Sequence, residues 1–293
     1  MERPKVVLIT GATTGIGRET ALHLARLGYD VLATGRKAAA LDELRREADG
    51  LRLDTFVLDV NDAASIAAAG VEVDRRTEGR GLDALVNNAG FGLMGPMELV
   101  TEEDLRAQFE TNVFGLVRVT QRFAPAMRRR GEGCVVNVSS VVGLLTVPLQ
   151  GVYCATKHAV EALTDAMRME LGPFGVRVVL VEPGSIRTQF ATTIKATVDR
   201  YRAMESPYGP AFDRYQRQLD QVDRTSPGPE VVARTIAKVL RKRRPRARYL
   251  SPGRYRVAIW ALRLLPTRWF DRTLKGAMGL TRKALADPAG RRR

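Results

Sequence analysis

The chain has 293 residues, 45% of them hydrophobic, which is enough to bury the core of one α/β domain or two small ones and excludes a disordered body. Lys and Arg number 47 against 32 Asp and Glu, a net charge of +15; 17 of those cations and only 2 of the acids lie between Arg241 and Arg293, so residues 1–240 carry 30 of each and are neutral. Two Cys (Cys134, Cys154) and two His (His23, His158) exclude a disulfide framework, a zinc motif and a multi-histidine centre, so no metal is expected. The apolar run near the start is too short for a signal-peptide core, and the chain reads as a reducing, cytoplasmic protein.

Short β-branched runs alternate with helical-period segments through the neutral body. The pattern predicts an α/β fold, a doubly wound parallel sheet of seven strands with helices on both faces. The first strand, 6–10, runs into Thr10-Gly-Ala-Thr-Thr-Gly-Ile-Gly17 and a helix over 15–27. This G-x-x-x-G-x-G spacing is a variant of the dinucleotide fingerprint, whose glycines bring backbone amides to a pyrophosphate at a helix N-terminus. An ordinary strand-to-helix turn is the alternative. The second strand, 30–34, ends at Gly35-Arg36-Lys37. Enzymes that use NAD generally place Asp or Glu here for the adenosine ribose, whereas a 2′-phosphate needs the carboxylate absent and a cation present. Arg36 and Lys37 therefore favour NADP(H) over NAD(H), the bland alternative being solvated loop charges. A helix over 39–48 and a strand over 54–58 follow, after which Asp59-Val60 meets the adenine or Asp59 caps the next helix. That helix spans 63–77 behind the N-cap Asp62. A fourth strand, 84–87, and a helix over 102–130 capped by Thr101 with Asp104 come next.

The fifth strand, 134–138, leads to Ser139-Ser140. Tyr153 and Lys157 open a helix over 153–171 and share its face, being four apart. A neighbouring ammonium favours phenolate and lowers a tyrosine pKa toward neutrality, which makes the pair a workable proton donor or acceptor. Beyond a strand over 176–181, residues 183–228 break the alternation and carry Phe190, Tyr201, Tyr208, Phe212 and Tyr215. Long excursions past a strand's carboxyl end usually cover the ligand crevice, so 184–228 reads as a lid, with a solvated insertion as the alternative. A helix over 229–241 and a strand over 248–250 close the body.

In order along residues 5 to 250, Thr10-Gly-Ala-Thr-Thr-Gly-Ile-Gly17, Asn87-Asn-Ala-Gly90, Asn112, Ser140, Tyr153-x-x-x-Lys157 and Pro183-Gly184 with Thr188 resemble the short-chain dehydrogenase/reductases. The resemblance implies a Rossmann fold in one catalytic domain, 1–250, and an oxidoreductase working as a homodimer or homotetramer. It implies Tyr153 as acid/base, Ser140 as hydrogen-bond partner of the substrate oxygen, Lys157 on the nicotinamide ribose and Asn112 in a water-linked proton relay to Lys157. The nucleotide would be held by Gly11, Thr13, Gly15, Ile16, Gly17, Arg36, Asp59, Val60, Asn88, Ala89, Gly90, Tyr153, Lys157, Pro183, Gly184, Ile186 and Thr188. The spacing to Tyr153 selects Ser140 over Ser139. A serine-nucleophile reading through Ser140 and His158 fails, because His158 adjoins Lys157 and no G-x-S-x-G elbow exists.

Residues 91–94 and 141–149 lack charge and are expected to wall the crevice, which suits an apolar ketone, aldehyde or secondary alcohol. The steroid- and retinol-handling members share this look, a weaker likeness. Cys154 reads as a packing residue. The extension 251–293 alternates Arg with Val257, Ile259, Trp260, Leu262, Leu264, Leu265, Trp269, Phe270, Leu274 and Met278, too broken by charge to span a bilayer. It suits an interfacial helix on anionic lipid at the inner membrane face, interrupted at Pro266, or packing on its own body or a subunit partner; nucleic acid is disfavoured. Residues 287–293 are expected to be disordered. The alternative to an enzyme is a catalytically idle nucleotide-sensing or nucleic-acid-binding module using the basic tail.

Overall fold

In the computed structural model, which describes residues 3–286, seven strands form a single sheet. They are β1 (Val6–Ile9), β2 (Asp30–Gly35), β3 (Leu53–Val57), β4 (Ala84–Asn87), β5 (Gly133–Val138), β6 (Val176–Pro183) and β7 (Arg248–Ser251). Every neighbouring pair is parallel and the order is β3-β2-β1-β4-β5-β6-β7. The order reverses between β1 and β4, and beyond the carboxyl ends of these strands a doubly wound sheet leaves its ligand crevice. The segment 287–293, expected to be disordered, lies outside the described residues.

Successive side chains of a strand point to opposite faces, and both faces here are apolar because both are covered. Val7, Ile9, Val31, Ala33, Val86, Val136 and Val179 pack with α1 (Gly15–Arg26), α2 (Ala38–Glu47) and α9 (Glu230–Arg241). Leu8, Leu32, Leu85, Val135 and Val178 pack instead with α3 (Ala63–Arg76) and α5 (Leu116–Arg130), and α6 (Gly151–Leu171) adds Val160 against Leu180. Each fully buried Leu, Ile or Val contributes ~1.5–3 kcal/mol, against ~0–1 kcal/mol for an exposed ion pair such as Arg106–Glu102. The sheet core therefore holds the fold.

One element departs from the sequence expectation. The helix expected over 102–130 is divided into α4 (Glu102–Phe109) and α5 by a π-helical turn, Glu110–Gly115. Widening the helix there turns Asn112 inward, where it is buried. The expected caps are present: Asp62 accepts from Ala64 N, and Thr101 accepts from Asp104 N.

The lid region is built from two helices, α7 (Phe190–Arg202) and α8 (Gly209–Thr225), joined at its base by Arg187 N donating to Pro227 O at 2.9 Å. It has an apolar core of its own. Ile194, Val198 and Tyr201 of α7 and Phe212 and Tyr215 of α8 pack on Leu93, Met94, Leu149 and Val152 of the body.

In the extension, Pro266 separates α10 (Tyr255–Leu264) from α11 (Thr267–Met278), and α12 (Arg282–Ala286) follows. Met278 and Leu280 join the lid core, while Arg214 and Gln218 of α8 donate to the Gly276 and Ala277 carbonyls. One side of the extension thus packs on its own chain. No helix among the described residues is long and apolar enough to cross a membrane.

Candidate active site

A crevice of about 1730 Å³ opens over the carboxyl ends of the strands. Of the residues expected at the site, all line it except Gly17 and Asn112, which are buried just behind its wall.

At the nucleotide end the shape is set by backbone. Gly11 has φ +64° and Gly15 φ +54°, the left-handed region that favours glycine. A Cβ on Gly11 would lie 2.8 Å from Ala89 Cα, and one on Gly17 would overlap the Gly11 carbonyl and the Asn88 amide. These glycines leave a cradle that side chains would fill, at the N-terminus of α1, where backbone amides and the helix dipole favour an anion. Asn88 straps the turn to β4: its Nδ2 donates to the Thr10 and Gly11 carbonyls at 3.0 Å, and Thr10 Oγ1 accepts from the Asn88 and Ala89 amides. The residues present fit a dinucleotide. Arg36 and Lys37, exposed after β2, line the crevice with no carboxylate between them and Gly35. Asp59 lines it too; its carboxylate accepts from Asn61 N, and the helix is capped by Asp62 instead.

At the middle of the crevice β5 and α6 bring Ser140, Tyr153 and Lys157 together. Ser140 Oγ accepts from Val142 N at 3.3 Å and faces Pro183 O at 3.5 Å. Lys157 Nζ donates to Val138 O at 2.9 Å and sits 5.8 Å from the Tyr153 ring centroid. Burial pushes Lys157 down to about 8, against the nearby Glu161 carboxylate, which holds it up. The expectation that Lys157 would lower the Tyr153 pKa needs correction. Burial, the largest influence, raises the phenol well above the usual tyrosine range, and the Ser140 hydroxyl is the group that pulls it back. The burial thus favours the protonated phenol.

Asn112 Nδ2 donates to Phe91 O at 2.9 Å and Thr156 Oγ1 at 3.1 Å, and its Oδ1 accepts from Phe91 N. Its amide thus ties the loop after β4 to α6, one residue before Lys157. His158 is exposed and pairs with the Cys154 carbonyl, turned away from Ser140.

The apolar wall is divided. Phe91, Val141, Val142, Leu145 and Val147 line the crevice with Phe190 and Ile194 of the lid, but Leu93, Met94 and Leu149, also expected there, are committed to the lid core. The phenol ring of Tyr153 lies 5.5 Å from that of Phe190, which closes the site over it.

Two groups went unread in the sequence. Gln150 Nε2 donates to Tyr215 Oη at 2.8 Å, a polar pair in the otherwise apolar part of the crevice. The sequence marks Tyr215 only as an aromatic residue of the lid, and Gln150 precedes α6 three residues before Tyr153. Behind Lys157, Glu161 and Glu182 are buried around Arg248, whose Nε lies 3.1 Å from Glu161 and 3.4 Å from Glu182. Burial and the facing Glu161 carboxylate raise Glu182 above the usual carboxylate range. Glu161, four residues after Lys157, shares its helix face, which was the available sign.

Residues 5–199 match the short chain dehydrogenase family model, most of the catalytic body. The chain belongs to the short-chain dehydrogenase/reductase family. It is therefore an oxidoreductase acting on a CH–OH group or the corresponding carbonyl. It is 37% identical to the uncharacterized oxidoreductase YbbO of Escherichia coli K12 over 276 residues, 93% of this chain and 94% of the relative. It is 38% identical to human 17-beta-hydroxysteroid dehydrogenase type 1 over 262 residues, covering 85% and 78% of the two chains. Among solved structures, a Burkholderia phymatum short-chain dehydrogenase/reductase in complex with NAD superposes with a TM-score of 0.76 at 28% identity, over 93% of this chain and 95% of the other. Actinorhodin polyketide ketoreductase with NADPH gives 0.72 at 31% identity, over 84% and 95%.

Proposed function

We propose that this chain is an NADP(H)-dependent oxidoreductase that interconverts an apolar ketone or aldehyde, steroid-, retinoid- or lipid-like, with its alcohol. The observation that carries the reading is one crevice in which Ser140, Tyr153 and Lys157 lie between a glycine cradle and an apolar wall. A nicotinamide nucleotide in the cradle supplies the hydride. The cradle's glycines and the α1 amides would hold its pyrophosphate, and Lys157, whose Nζ donates to Val138 O, would hold its ribose.

As negative charge develops on the substrate oxygen, the Ser140 hydroxyl donates a hydrogen bond to it and the Tyr153 phenol donates the proton. The Ser140 hydroxyl, which pulls the Tyr153 phenol down against its burial, stabilises the phenolate left behind. In the oxidative direction the phenolate takes the proton back. Asn112 is a positioning residue that holds the loop after β4 against α6. One structural neighbour holds NADPH and another NAD, so the preference for NADP(H) rests on this chain's own Arg36 and Lys37 and on the missing carboxylate. The steroid- and retinol-handling relatives support an apolar substrate. The working unit is a cytoplasmic homodimer or homotetramer whose basic extension meets a membrane surface.

Tyr153→Phe tests the reading. Turnover of apolar ketones with NADPH falls by about a thousandfold or more, while NADPH affinity and the melting temperature stay close to wild type. Unchanged turnover would remove Tyr153 from the chemistry.

A further inference from the structure

The extension carries apolar side chains on two sides. Ile259 and Leu262 of α10 and Phe270, Leu274 and Met278 of α11 turn toward the body and are buried or half-buried. Val257, Trp260 and Leu264, spaced three and four apart and therefore on one stripe, point outward with exposures of 79%, 57% and 81%, and Trp269 of α11 is exposed as well, at 70%. A helix apolar on the side away from its own core needs something else to cover it. Around the stripe stand Arg254, Arg256, Arg263, Arg268, Arg272 and Lys275, all exposed. Among the described residues none of the six has a carboxylate within ion-pair distance, and Asp271 is the single acid between Tyr255 and Met278. An aromatic stripe ringed by unpaired cations complements an anionic lipid surface, where Trp settles at the headgroup level and Arg meets phosphate.

Both helices are also fastened to the crevice. A Cβ on Gly184, a crevice residue, would run into the Tyr255 ring at the start of α10. At the other end Gln218 of α8, also a crevice residue, donates to the Ala277 carbonyl of α11. We infer that α10 and α11 dock on an anionic bilayer and hold the mouth of the crevice at its surface, so that an apolar substrate enters from the lipid. The inference rests on the oxidoreductase reading for the substrate and goes beyond it in stating which face meets lipid and what that contact delivers.

The chain's two tryptophans are exposed, one on each of these helices, so intrinsic emission of the full chain reports the contact directly. With vesicles of equal parts phosphatidylcholine and phosphatidylglycerol the emission shifts to the blue and is quenched by brominated acyl chains. Vesicles of phosphatidylcholine alone have no such effect, and salt weakens the contact. Arg256→Glu with Arg268→Glu lowers the affinity at least tenfold and leaves turnover of a short water-soluble ketone unchanged. A long-chain ketone dissolved in the mixed vesicles is then used at least tenfold faster by wild type than by the double variant. Emission unchanged by the mixed vesicles overturns the docking. An emission shift that grows with protein concentration without lipid overturns it in favour of a second copy of the chain. Docking with equal use of the lipid-dissolved ketone by both proteins overturns the delivery. Failure to turn over either ketone, with the quenching intact, removes the oxidoreductase reading and leaves the docking standing.

Discussion

The sheet body and the helical cover that encloses it are built on different terms. In the body, function is shaped by backbone: Gly11, Gly15 and Gly17 make room for an anion, and strand ends fix where Ser140 and Lys157 project. In the cover, made of α7, α8 and the extension, side chains decide everything, from the Tyr201 and Phe212 core to the Trp260 stripe. Residues 1–240 are also charge-neutral, while those from Arg241 onward carry the net charge. The reacting side chains Ser140, Tyr153 and Lys157 all belong to the body. The apolar crevice wall is shared between the two, with Phe91, Val141, Val142, Leu145 and Val147 from the body and Phe190 and Ile194 from the cover.

The sharpest way to break this contrast is to empty the cover's core. Phe212 is fully buried in a cluster separate from both sheet cores, and Phe212→Ala costs ~3–5 kcal/mol of local packing. Amides of α7 and α8 should lose protection in hydrogen exchange, and KM for an apolar ketone should rise about tenfold. Nucleotide affinity and the exchange of β1, β4 and β5 should hold. Equal loss of protection in the sheet would show that cover and body open as one unit.

A second test lies inside the body and depends on pH. The folded value of Lys157, about 8, lies below its unfolded value of 10.5, so the native state binds its proton less tightly than the unfolded chain does. Below pH 8 both states carry the charge and its burial destabilises the fold in full. Between pH 8 and 10.5 the native lysine sheds its proton and the penalty is relieved. Lys157→Met should therefore raise stability by ~1–3 kcal/mol at pH 7, measured by denaturant unfolding, with the gain shrinking toward pH 10. A gain independent of pH would assign it to packing. The smallest effect is expected at the rim, where Arg36 is exposed: Arg36→Ala should narrow the preference for NADPH over NADH by about tenfold in Kd. Unchanged affinities would return Arg36 to an ordinary solvated charge.

Much of the body was legible in the residues. The seven strands fall within a residue or two of the expected runs; the central ones are apolar throughout because both their faces are buried, while the edge strands β3 and β7 are only partly buried. The crevice lining follows from the strand ends, since whatever comes next in the chain emerges there. The π turn at Glu110–Gly115 was not legible: Asn112 turns inward to meet the Phe91 backbone, a partner 21 residues away that no local pattern announces. Nor was the fate of Leu93, Met94 and Leu149, which are as apolar as their crevice-lining neighbours and differ only in what α7 and α8 lay over them.

The sequence by itself determined the sheet, the glycine turn, the order in which Ser140, Tyr153 and Lys157 appear, and the concentration of charge after Arg241, because these depend on spacing and composition along the chain. Tertiary structure alone decided the rest. Burial raised the Tyr153 phenol, and Arg248 came to sit between Glu161 and Glu182 from the far edge of the sheet. Packing of α11 on α8 turned one side of the extension to its own body and left the tryptophan stripe outside. Desolvation and long-range contact depend on what surrounds a residue in space, and the chain brings those surroundings together only when it folds.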